Sequence, residues 1–260
     1  MQRMLNRRRY GFVTFLAVSV ACLGCNGTAP SQPKLLLYCG AGIRPPVAEL
    51  AERFGAEHGV VVECDYAGSE VLLSRIKLNG RGDLYMPGDV QYVEQAAEQG
   101  LVESHEPVCY FIPTILVQKG NPKNIRTLDD LTRPDVTVGL GNPEACAIGR
   151  KTLKLLEKNG IKPDDLNVKF RTLTVNELGI HIELKKLDAV IVWDALGAYF
   201  AEKADRVPIP PEKNVVSTVA VGLLTSSKQP ALAAEFIDYV ISQEGKAIFE
   251  KHHYTTKLPE

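Results

Sequence analysis

Apolar residues in this chain come in short runs, and each run is followed by a longer stretch of mixed polarity. The runs Leu35–Tyr38, Val60–Cys64, 83–86, 136–140, 168–172 and Ala189–Val192 have strand length and are rich in aliphatic and aromatic residues. The stretches after them predict helices over 45–57, 70–78, 90–99, 149–158, 177–186 and 195–203. Gly59, Asn79-Gly80, Gly100 and Asn159-Gly160 stop four of these. Longer strands are predicted over 108–118, with Pro113 inside, and over 215–224. Pro122 and Pro134 bracket a short helix beginning at Thr127-Leu128-Asp129-Asp130. The proline-rich segment 207–214 reads as a connector, and helices 230–240 and 242–251 close the chain. Strand–helix alternation of this kind predicts an α/β fold of mostly parallel sheets flanked by helices. Ligands on such sheets bind beyond the carboxyl ends of the strands.

Four strand-to-helix junctions stand out: Gly40–Ile43, Gly68–Ser69, Ala147–Gly149 and Val175–Asn176. The first follows Leu35–Tyr38 and leads through Cys39-Gly40-Ala41-Gly42-Ile43-Arg44 into a helix opened by Pro45-Pro46. Glycine allows the sharp turn, and proline suits a helix's first turn. Each junction presents bare N–H groups at the positive end of a helix dipole, which favours an anion. Ser69 adds a hydroxyl. The alternative is four ordinary turns with cap residues.

The first residues predict processing rather than fold. Arg3, Arg7, Arg8 and Arg9 precede an apolar stretch, Gly11 to Leu23, of about 13 residues, short of the roughly 20 a membrane span needs. This is a signal-peptide pattern over 1–25. Cys22-Leu23-Gly24-Cys25 resembles a bacterial lipobox, which makes Cys25 the lipidation candidate and 26–33 a flexible tether. The protein is then exported and held at the periplasmic or outer face of a membrane. The remaining body, about 225 residues, has room for one large domain or two lobes. A net charge of −1 argues against nucleic acid. No nucleophile elbow, zinc-protease motif or P-loop is present, so the chain does not read as an enzyme.

Several of these segments together are similar to one family. Tyr38–Arg44, Asp65–Leu72, Gly82–Asp89, Gly141-Asn142-Pro143-Glu144, Val190–Trp193 and Tyr254-Thr255-Thr256-Lys257 resemble the molybdate-binding proteins of ABC transporters in order and spacing. The resemblance covers about 34–260. It implies a two-lobed periplasmic-binding fold of type II, with 34–112 plus 213–260 as one lobe and 113–212 as the other. It implies capture of a tetrahedral oxyanion, molybdate or tungstate, as cargo rather than cofactor, by a monomer that delivers it to permease subunits. The family's first serine falls on Gly42 beside Ile43, and its second matches Ser69. Its backbone donors fall on Ile148 and Val175, and its tyrosine donor falls on Trp193. The position of an archaeal carboxylate holds Cys146. Arg44 is a candidate to compensate for the hydroxyl missing at Gly42.

Other readings stay open beside this one. Cys39 and Cys146, one at each cleft edge, could ligate arsenite or a thiophilic metal, pair as a disulfide, or pack as small apolar residues. Cys64 and Cys109 read as core. A ligand sensor of the same fold is a further alternative. Tyr66, Tyr85 and Tyr92 lack the paired arrangement of ferric-ion sites and read as packing residues. Asp83 and Asp89 read as turn caps, and His252-His253 as a solvated end.

Overall fold

The computed structural model describes residues 32–258. The predicted signal peptide, Cys25 and most of the 26–33 tether lie outside the described residues. In chain order the strands are β1 (Lys34–Gly40), β2 (Val61–Ala67), β3 (Leu84–Met86), β4 (Val102–Phe111), β5 (Pro113–Gln118), β6 (Val138–Gly141), β7 (Val168–Thr172), β8 (Ala189–Trp193), β9 (Ala204–Pro208) and β10 (Ser217–Leu224). The helices are α1 (Arg44–His58), α2 (Ser69–Asn79), α3 (Val90–Glu98), α4 (Ala147–Lys158), α5 (Val175–Glu183), α6 (Asp194–Tyr199), α7 (Pro230–Ile241) and α8 (Gln243–Lys251).

The strands form two five-stranded sheets, ordered β2-β1-β3-β10-β4 and β7-β6-β8-β5-β9. Each sheet with its helices is one lobe. The chain passes between them at Ile112, between β4 and β5, and again at Asn214–Ser217. Asn214 ties the two crossings together by donating from Nδ2 to the Pro113 carbonyl at 2.9 Å.

The sheets are mixed, which corrects the mostly parallel expectation. β1 runs parallel to β2 and β3, and β6 parallel to β7 and β8. β10 pairs antiparallel with β3 and β4, and β5 antiparallel with β8 and β9. The antiparallel strands are those adjoining the crossings, where the chain changes lobe instead of returning through a helix. β4 begins at Val102, earlier than predicted, because residues 103–107 are exposed and polar and carry no apolar run. β9 occupies part of the predicted connector, and its prolines hid an edge strand.

Helix faces follow the sequence pattern. α1 buries Val47, Leu50, Ala51 and Phe54, spaced for one side of a helix. Phe54 meets Phe236 of α7 edge-to-face at 5.1 Å, and α1 stops at Gly59 in the left-handed conformation. Two helices start two residues earlier than predicted, α4 at Ala147 and α5 at Val175. These starts coincide with the junctions singled out above.

Candidate functional site

All four junctions converge. Residues after β1, β2, β3, β6, β7 and β8 enclose one cavity between the lobes, beyond the carboxyl ends of the parallel strands. Its volume is about 20 Å³. Gly40–Gly42, Gly68 and Ser69 face it from the first lobe. Ala147, Ile148, Thr174 and Val175 face it from the second.

A helix leaves its first N–H groups without intrahelical partners, and a side chain usually caps them. Here the helices that open onto the cavity have none. The N-cap residues Gly68 of α2, Cys146 of α4 and Thr174 of α5 make no side-chain cap bond, and neither Gly40 nor Ile43 caps the turn and helix after β1. Thr174 has a hydroxyl suited to capping but donates it to Glu177 Oε1 at 2.8 Å instead. α3, which starts beside the cavity-lining Gly88, and α8 are capped by Asp89 and Ser242, and α7, away from the cavity, has no side-chain cap. The cavity therefore receives uncompensated N–H groups and dipole-positive ends from both lobes, and no charged side chain lines it.

Side chains complete the wall. Ser69 Oγ accepts from the Gly88 N–H at 3.1 Å, which leaves its own proton free for the cavity. Trp193 closes the opposite side, tilted against Phe111 with centroids 4.7 Å apart. Behind the wall, Tyr85 donates to the Ser69 carbonyl at 2.8 Å and Tyr254 to the Gly42 carbonyl at 2.6 Å. Burial drives both phenols well above their ordinary range, so both remain donors.

The lobes meet in contact around this cavity. The Glu70 N–H donates to the Ala145 carbonyl at 3.2 Å. The Glu70 carboxylate pairs with Arg150 at 2.7 Å, and Arg150 lies 4.6 Å over the Tyr92 ring. Lys151 of α4 buries its ammonium in the first lobe, 2.8 Å from Asp89 and 3.2 Å from the Val216 carbonyl. On another flank, His252 bridges Tyr199 of the second lobe, at 2.7 Å, and Glu49 of the first, at 2.8 Å.

Of the predicted site residues, Gly42, Ser69, Ile148, Val175, Trp193 and Cys146 line the cavity. Ile43 is fully buried behind it. Arg44 turns outward and stacks 4.4 Å over Tyr66, so it does not replace the hydroxyl missing at Gly42. Cys39 lies buried under the first junction with its thiol toward the Gly40 carbonyl, 3.7 Å away. Burial raises its pKa strongly and pushes Cys146 up to about 11, so both are thiols rather than thiolates at neutral pH. All four described cysteines are free, and no group of three or more His, Cys, Asp or Glu among the described residues is arranged for a metal. Asp89 caps α3 as expected and also takes Lys151. Asp83 instead accepts from the Leu36 N–H and the Ser227 hydroxyl, and His252 is half-buried between lobes rather than solvated.

Sequence reasoning missed Gly88, Phe111, Thr174 and the buttress Tyr254. Pro87-Gly88-Asp89 follows a strand and is legible as a fifth junction, Tyr254 is marked only as part of a segment that carries the family resemblance, and nothing local marks Phe111.

Comparison with known proteins agrees with this geometry. Residues 35–255 match the family model for bacterial extracellular solute-binding proteins. The chain is 28% identical over 253 residues to the molybdate-binding protein of Mycobacterium tuberculosis, covering 93% of this chain and 95% of that one. Among solved structures, the sulfate-binding protein of Mycobacterium tuberculosis superposes with a TM-score of 0.78 at 18% identity, covering 85% and 86% of the two chains. A periplasmic binding protein of Actinobacillus pleuropneumoniae holding fructose-6-phosphate superposes with a TM-score of 0.75 at 17% identity, covering 87% and 85%. With a family model spanning nearly all the described residues and this two-lobed fold, the chain belongs to the bacterial extracellular solute-binding proteins.

Proposed function

We propose that this protein captures a fully deprotonated tetrahedral oxyanion, molybdate or tungstate, and presents it to the permease of an ABC importer. The observation that carries the reading is the set of uncapped helix starts from both lobes around one small cavity without formal charge. Such a site binds an anion by N–H donors and dipoles, and lobe contact removes water, so each bond gains strength. The absence of a lining carboxylate favours a dianion over a singly protonated oxyanion, whose own O–H needs an acceptor. The molybdate-binding relatives support the cargo's identity, and the cavity's size argues for a few-atom ligand rather than a sugar phosphate. Closure is selected by the ligand, which contacts both walls only when the lobes meet. Lipidation at Cys25 would keep the body at the membrane surface. Titration calorimetry with molybdate, tungstate, sulfate and phosphate tests the reading: the first two bind, phosphate does not, and no heat with any of the four refutes it.

A further inference from the structure

None of Glu49, Tyr199 and His252 lines the cavity, yet together they join the lobes. Glu49 of α1 and His252, just after α8, belong to the first lobe, and Tyr199 ends α6 of the second. Hydrogen bonds from Lys251 and His252 hold the Glu49 carboxyl well below the usual carboxylate range, so it is ionised and can only accept. Its partner at 2.8 Å, His252 Nε2, must therefore carry a proton. In the neutral imidazole that leaves a lone pair on Nδ1. The Tyr199 hydroxyl, 2.7 Å from Nδ1, donates to it, and the His252 carbonyl lies 3.5 Å from the same hydroxyl. The first lobe alone thus fixes the tautomer, and the second supplies only the hydroxyl. The segment carrying His252 is anchored on both sides. Its N–H closes α8 onto the Ile248 and Phe249 carbonyls at 3.2 and 3.1 Å. Two residues on, Tyr254 reaches the Gly42 carbonyl, and the Thr255 carbonyl accepts from the Tyr110 N–H of β4 at 2.7 Å. All these partners are in the first lobe, so opening the lobes leaves their bonds in place and breaks the one from Tyr199 to His252.

We infer that Tyr199 and His252 form a latch across the lobe boundary, a pair of positioning residues that favour closure and so raise affinity for a cargo they never touch. The inference rests on lobe closure and not on which anion the cavity holds. The acceptor is already oriented before the lobes meet, so closing the latch orders only the Tyr199 side chain. Losing this one neutral hydrogen bond lowers the ratio of closed to open protein about fivefold.

Tyr199→Phe removes only the hydroxyl, and two measurements on the full-length protein then report the latch together. The Kd for molybdate rises as the closed fraction falls. In the ligand-free protein the Glu70 N–H, whose acceptor Ala145 lies in the other lobe, exchanges with solvent through the open form, so its rate follows the open fraction. For a two-state closure the two fold-changes multiply to the fold-change in the closed-to-open ratio, whichever state predominates. Their product for Tyr199→Phe is about five. A product near one overturns the proposal. In a His252→Ala background Tyr199→Phe has little further effect, and an undiminished effect there overturns the pairing. Melting temperatures report whether each variant folds; if His252→Ala does not, Tyr199→Phe in the wild-type background decides the matter. A wild-type protein that binds no oxyanion refutes the cargo reading and leaves the latch to the Glu70 exchange rate: faster exchange in Tyr199→Phe supports it, and unchanged exchange overturns it.

Discussion

Replacing Gly68 by alanine should separate closure from folding. Gly68 has φ −67° and ψ 149°, a conformation alanine adopts freely, so its own lobe tolerates the change. The obstacle lies across the cleft. A Cβ at 68 would stand 2.6 Å from the Leu173 carbonyl oxygen and closer still to that of Ala145, both in the second lobe. Ordinary contact begins near 3.4 Å, and both obstacles are backbone, so the lobes must part by about 1 Å there. That movement takes the Glu70–Ala145 hydrogen bond, 3.2 Å long, out of range, a loss of about 1 kcal/mol. It also withdraws the α4 and α5 donors from an anion held by α1 and α2. Losing even one charge-assisted bond costs roughly 1.5–3 kcal/mol. Together these weaken molybdate binding by roughly 100- to 1,000-fold. Calorimetry gives the Kd, and thermal melting of the ligand-free protein should show little change. A Gly68→Ala protein that binds molybdate within about threefold of wild type would refute the claim that the bound state is this closed one.

Three further outcomes follow from the same structure. Ser69→Ala removes a donor and strands the Gly88 N–H, so the calorimetric Kd for molybdate should rise about tenfold, with the melting temperature lowered by about 2–4 °C. Lys151→Met leaves the Asp89 carboxylate buried without its cation, and urea unfolding should show a loss of about 3 kcal/mol or more, part of which returns when Asp89→Asn is added. Glu49, paired with Lys251, His252 and Arg53, has its pKa lowered from 4.5 to about 2. Its contribution is complete above its ordinary pKa and is lost as pH falls through 2, so Glu49→Gln should flatten the decline of melting temperature between about pH 5 and pH 2.

How far the site could be read from sequence depended on the range of the signal. The four junctions were legible because strand runs, turn glycines and helix starts are local patterns, set by backbone preferences over a few residues. The start of α4 was placed two residues late because Ala147 and Ile148 follow a loop without a capping side chain. That same lack of a cap leaves the first N–H groups of α4 without a side-chain partner at the cavity. Arg44 is a candidate from sequence to compensate for the hydroxyl missing at Gly42, but it stacks over the Tyr66 face of the edge strand β2 instead. Asp89 looked like a cap and is one; its partner Lys151, 62 positions away, had no local signature.

The sequence alone determined the alternation of strand and helix and the four junctions at which helices start without a capping side chain. The tertiary structure decided what those junctions share. It reversed strands at the two crossings, brought starts from opposite lobes to one cavity and put the Trp193 indole where a side chain at Gly42 would otherwise stand. Local conformation depends on neighbours in the chain and is written there. Shared volume depends on packing between residues over 150 positions apart, and only the folded chain specifies which of them fills it.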